Sequence, residues 1–198
     1  RANVYIKDNL YPIIQGGMKD GIKYERLKPS EIQLMHAYAL SRDAIWRYNF
    51  SEGYNDSVLP RETAQELLRL HEKLDPKVKF KVEQAAQGLV TYAKDLARLK
   101  VEAGLPDWAP EKFAKITANP HYVPEVRDWE SVLAKPFGQG KKRQFTSTNR
   151  LVRGNYDTGE VVPIYDPITA LVHDTHEFEA EAAKMMVWNR VIELTKQV

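Results

Sequence analysis

Cysteine is absent from this chain of 198 residues. Its absence removes disulfides, thiolate metal sites and cysteine nucleophiles together, and is compatible with a reducing compartment while leaving a virion or periplasm open. Long apolar runs are lacking too. Nothing approaches the ~18 residues of a membrane span, and the opening RANVYIKDNLY has no apolar signal-peptide core. The chain also lacks a Walker loop, a dinucleotide fingerprint, a nucleophile elbow and a zinc spacing. With catalysis left without an anchor, the expectation is a non-enzymatic protein with no cofactor and no metal site. A formal net charge of +2 is too small to imply nucleic acid or acidic lipid as a partner. Acids are missing locally, however: Ser131 to Tyr156 carries six basic residues and no Asp or Glu, whereas Asp174 to Glu181 holds four acids.

What is present is the raw material of one buried core. Apolar residues make up 43% and charged residues 28%, which suits a chain that folds by burying side chains and argues against wholesale disorder. The chain begins at Arg1, and the expectation is a module cut from a longer polypeptide.

The fold class expected is all-α, about five helices including two long ones, divided into an N-terminal arm (1–27) and a helical domain (28–198). In the arm, Val4, Ile6, Leu10 and Ile14 suggest a short helix that Pro12 and Gly16-Gly17 weaken. Pro29 suits a first helical position, and Ile32, Met35, His36, Ala39, Trp46 and Phe50 follow a 3.6-residue period to about Asn49. A second helix follows Pro60 through Ala64, Leu67, Leu68, His71 and Leu74. VKFKV alternates like a strand, but Val78, Val82, Ala85, Ala86, Leu89, Ala93 and Leu96 keep a helical stripe from an Asp75 cap to a Gly104 stop. A short helix from Pro110 to about Ala118 comes next. In NPHYVP, Pro120 and Pro124 lack amide hydrogens and push Asn119 and Val123 towards extended backbone, so a rigid corner is expected. Its candidate anchors are Tyr122, Pro124, Arg127 and Trp129. Residues 136–163 form an irregular basic loop in which Asp157-Thr158-Gly159 allows a short β-hairpin. Asp166 then caps, and Pro167 opens, a final helix whose stripe takes in Ile168, Leu171, Val172, Phe178, Ala182, Met185, Met186, Asn189 and Ile192.

Three constellations invite chemistry. His173, His176 and Glu177 in HDTHEFEAE sit on adjacent turns, a spacing that can chelate a divalent metal, but no second cluster supplies the remaining ligands, so a solvated face is expected. FTST (145–148) followed by EFE (177–179) resembles, in order and residue type, the elements of ADP-ribosyltransferases. Here the glutamates fall inside a helical period rather than a β core, so no catalytic residue carries over. Lys141, Lys142, Arg143, Arg150 and Arg153 with Phe145 carry the alternative reading, a helical nucleic-acid-binding module in which bases neutralise phosphates while an aromatic stacks.

The succession of a long helix, Tyr122-Val123-Pro124 with Arg127, a Gly-rich basic loop, Asp166-Pro167 and a helix carrying Asn189-Arg190 resembles helical accessory regions of the large multidomain proteins of tailed phages and mobile elements. Some of those proteins are packaged in the particle and delivered with the DNA. The resemblance spans residues 80–198 and implies a structural or protein-interaction module attached to effector domains. It further implies other protein chains or flanking domains of the parent polypeptide as partners, and a virion or the bacterial cytoplasm as location.

Overall fold

The computed structural model describes residues 2–50, 59–105, 108–124 and 166–195. The chain is mostly helical: α1 (Ala2–Asn9), α2 (Tyr11–Gln15), α3 (Pro29–Phe50), α4 (Arg61–His71), α5 (Pro76–Glu102), α6 (Pro110–Ala118) and α7 (Pro167–Thr195). Strands β1 (Gly17–Lys19) and β2 (Ile22–Tyr24) add an antiparallel hairpin, with Met18 opposite Lys23.

Local chemistry explains the helix ends. Glu31 accepts the Lys28 amide (2.7 Å), the carboxylate half of a capping box, behind Pro29 at the first helical position. The Asp75 side chain accepts from the Lys77 and Val78 amides, at 3.0 and 3.3 Å, and starts α5. Asp166 does the same for α7 through Ile168 and Thr169, both at 3.0 Å. Gly104, at φ 66°, ends α5 in the left-handed region where a side chain is disfavoured.

The 27-residue α5 is the axis of the fold. Val82, Ala85, Ala86, Leu89, Val90, Tyr92, Ala93, Leu96 and Ala97 are buried, and α2, α3, α6 and α7 all pack on it. Its small residues let neighbours approach closely. A Cβ on Gly88 would stand 3.0–3.1 Å from the Ile13 side chain and the Tyr24 ring. Ile6, Leu10, Ile13, Tyr24 and Leu27 belong to the same buried cluster as Met35, Leu89, Val123 and Leu171. Pro12 sits in the first turn of α2, where its missing amide costs nothing, so it begins a helix rather than weakening one. The hairpin turns at Asp20-Gly21 with φ of 51° and 77°, the paired positive values of a two-residue turn matching strand twist.

Two polar clasps fasten α7 to α5. Tyr92 and Thr175 share a buried hydroxyl hydrogen bond (2.7 Å), and Thr175 also donates to the Leu171 carbonyl (2.7 Å). Lys100, 3% exposed, donates to Asp174 and lies 4.4 Å from the centre of the Trp108 ring. In the stretch expected to be a solvated face, Asp174 is the exception: a lysine buried on α5 draws it inward, while His176 and Glu181 are exposed.

Candidate functional site

The proline-bounded corner is built around a charge that the helical period did not reveal. Asn119 is extended (φ −84°, ψ 110°), and its amide donates to Asp43 on α3 at 2.6 Å. Asn119 Oδ1 in turn accepts the His121 backbone amide (2.9 Å), closing an Asx turn across Pro120. Asp43 is fully buried and also pairs with Arg47 Nε at 2.7 Å. Val123 and Pro124 are buried, and Tyr122 packs partly buried against the core. Arg127 and Trp129 lie outside the described residues. The anchors that the structure brings together are Asp43, Arg47, Asn119 and Val123; Asn119 and Val123 carried only the expectation of extended backbone, and Asp43 and Arg47 carried none. A sequence signal existed: Asp43 and Arg47 are four apart on a helix, ion-pair spacing.

The corner also walls a cleft of about 270 Å³ between α3 and α5. Tyr38 and Arg42 come from α3, Glu83 and Gln87 from α5, His121 from the corner, and Ala39, Ala86 and Val90 form a buried floor. Arg42 Nη2 lies 2.7 Å from His121 Nε2. A guanidinium can only donate, so this imidazole nitrogen accepts and the ring is neutral with its proton on Nδ1. Burial, helped by the positive charges of Arg42 and Lys94, pushes His121 down to about 4. The Tyr38 ring lies against His71 (centroids 4.2 Å apart), and His71 Nε2 stands 3.2 Å from Glu83 Oε1. Burial raises the Tyr38 phenol, with Arg42 opposing. Arg42, His121, Tyr38 and Glu83 are thus each held by a neighbour.

Comparison with known proteins gives no relative to lean on. No protein-family model, curated protein or solved structure matches the chain. The site is read from its own residues.

The six residues of the nucleic-acid reading, Lys141, Lys142, Arg143, Phe145, Arg150 and Arg153, lie outside the described residues, as does the hairpin expected at 157–159. His173 Nδ1 stands 3.7 Å from Glu177 Oε2 across one turn of α7, and His176 is exposed. Burial raises the Glu177 carboxyl; His173 opposes this and Asp174 adds to it. Among the described residues no three His, Asp or Glu side chains gather as a metal site would require. The EFE glutamates lie within α7. No helix among the described residues is long and apolar enough to cross a membrane.

The final helix outruns the core. Ala170, Leu171 and Thr175 are buried, and Ile168, Val172 and Phe178 pack partly buried beside them. Further along, Met186, Val187 and Trp188 are 64, 66 and 61% exposed. The expected stripe is therefore corrected at Met186 and Asn189, both exposed, because the body of the molecule covers only the first half of α7. Phe50, the last residue of the α3 stripe, is likewise 67% exposed and rests beside Trp46, ring centroids 5.4 Å apart.

Proposed function

We propose that this chain is a non-enzymatic helical module that holds another protein, with the second half of α7 as its docking face. The observation that carries this reading is the consecutive exposure of Met186, Val187 and Trp188 on a helix whose first half is clamped to the core. Exposed large apolar side chains grouped on one element mark interaction sites, and tryptophan is among the residues that dominate interface energies. The matching mode is helix recognition, in which an apolar helix face enters a partner's groove. The sequence resemblance over 80–198 supports a larger phage or mobile-element protein as the setting, with the module as spacer or dock for effector domains.

Photo-cross-linking tests this directly. A benzophenone amino acid replacing Trp188 should yield protein adducts in the source cells, while the same group at the exposed Glu111 of α6 should not. Equal labelling at both positions sinks the reading. A titration with labelled DNA at ~150 mM salt examines the alternative: non-specific binders show Kd of roughly 10⁻⁴ to 10⁻⁶ M, so sub-micromolar binding lost on changing Lys141, Lys142 and Arg143 to Ala favours nucleic acid instead.

A further inference from the structure

The cleft between α3 and α5 lies apart from α7 and has a chemistry of its own. We infer that it binds a small monocarboxylate with an apolar body, the carboxylate on the Arg42 guanidinium and the body on the Ala39, Ala86 and Val90 floor.

Arg42 is the starting point. None of the ion pairs among the described residues includes it, although its helix neighbour Arg47 is paired with Asp43. Its contacts there are a neutral imidazole nitrogen at 2.7 Å and the Tyr38 ring, whose centre is 5.9 Å away. The acceptor and the ring hold the guanidinium in place without neutralising it, which leaves an oriented fork facing a partly enclosed space. A planar fork with no carboxylate in ion-pair contact among the described residues can recognise one by two parallel hydrogen bonds.

The rest of the wall narrows the class. Glu83 lines the same cleft, so a dianion such as phosphate would be repelled about twice as strongly as a single negative charge held on the Arg42 side. Gln87 offers both a donor and an acceptor for a second polar group on the ligand. Ala39, Ala86 and Val90 are only 3–4% exposed and carry no polar side-chain atom, so the floor favours a hydrocarbon portion over a hydroxyl-rich one. About 270 Å³ falls just below the range of pockets for drug-sized ligands and suits a short acid or the last residue of a peptide.

The shared chemistry admits two sources, a free metabolite-sized acid or the C-terminal carboxylate of a peptide, and the experiment separates them. The full chain, with Ala and Val methyls labelled, is titrated by NMR with hexanoate, hexanamide, inorganic phosphate, and a short N-acetylated apolar peptide ending in a free or an amidated carboxylate. Saturable millimolar shifts of the Ala39, Ala86 and Val90 methyls by hexanoate or by the free-carboxylate peptide, with none from the amides, are expected. Whichever of the two binds more tightly names the source. Arg42→Gln should weaken binding about tenfold or more, and Lys94→Gln, which changes a nearby cation outside the cleft, should not. If Arg42→Gln fails to fold, Arg42→Lys keeps the charge, loses the fork and should still weaken binding several-fold. Silence from every carboxylate, shifts equal for acid and amide, tighter binding of phosphate, or indifference to the Arg42 change overturns the proposal.

Discussion

Changing Asp43 to Asn exchanges a single heavy atom, yet it should be among the most damaging substitutions in the molecule. Asp43 is fully buried, with one oxygen on the Asn119 amide at 2.6 Å and the other on Arg47 Nε at 2.7 Å. Both partners are donors. An asparagine offers one acceptor and one NH2, so whichever way its amide is turned, a donor faces a donor. Turning Asn119 instead would remove the acceptor of the His121 amide and undo the Asx turn. Removing one partner of a buried ion pair costs about 3–5 kcal/mol. The Arg47 side chain keeps 19% of its exposure, so water reaches part of the stranded cation and the cost falls to roughly 2–4 kcal/mol. With an m-value of ~2 kcal/mol per molar urea, the unfolding midpoint should drop by about 1–2 M with the slope unchanged. Pairing Asp43→Asn with Asn119→Asp restores an acceptor opposite each donor, and the double variant should recover part of the loss. A single-variant shift under about 0.25 M urea, or strictly additive effects in the double variant, would show that the corner is not held by this network.

Acidification from about pH 6.5 towards 4 should lower stability. His121 is held down to about 4 in the folded chain, so over that window the unfolded state takes up a proton that the native state refuses. His36, lowered by burial against the opposing charge of Asp166, acts in the same direction. Urea midpoints measured across the window should fall for the parent and fall less for His121→Gln; parallel profiles would refute the assignment. The depressed carboxyls of Glu31 and Asp166 act lower, their stabilisation being lost only as pH falls through folded values below 4.5 and 3.8. Burial opposes the lowering at both: at Glu31 the Lys28 amide outweighs it, and at Asp166 the hydrogen bonds from Thr169 lead in doing so. Gly88→Ala should destabilise by about 1 kcal/mol, because a methyl 3.0–3.1 Å from Ile13 and Tyr24 forces the arm to shift and more than offsets the helix-propensity gain of ~1 kcal/mol; a stabilised variant would show that the arm yields freely.

The helices from α3 onward were legible because their ends are written in local chemistry. Pro29, Pro76, Pro110 and Pro167 open them, Asp75 and Asp166 cap two, and Gly104 closes one. The hairpin was also written, in Asp20-Gly21, but Gly16-Gly17 and Pro12 just before it read as breakers and obscured the signal. The corner's anchor was illegible for a different reason. Periodicity assigns a helix one inward face, whereas α3 is covered by α5 on one side and by α4 and the corner on others. Ser41, fully buried, falls on the side that the stripe assigned to water, and Asp43, also fully buried, sits on the stripe itself, at a place where an apolar residue is expected. Arg47, one turn on, is the local half of what compensates Asp43; the other half, the Asn119 amide, comes from 76 residues along the chain, and no local pattern carries that information.

The same limit, seen from the other side, governs α7. Leu171, Thr175, Phe178, Ala182, Met185, Asn189 and Ile192 follow one another at alternating intervals of four and three, a seam that continues unchanged along the helix. The environment does not continue with it. Leu171 and Thr175 meet α5, where the Tyr92 hydroxyl satisfies the one polar member of that half, while Met186 and Trp188 flank the second half in the open. A helix with a seam longer than its own core has apolar area left over, and helices in proteins draw most of their stability from such packing rather than from propensity. An asparagine set midway along an apolar seam costs stability in exchange for fixing register against a facing helix. Asn189 occupies that place, exposed, between Met185 and Ile192. This pattern has a physical use where a second helix lies along the seam, which is why the proposed dock is assigned to this half of α7 and not to the scattered exposed residues Phe80 and Leu70.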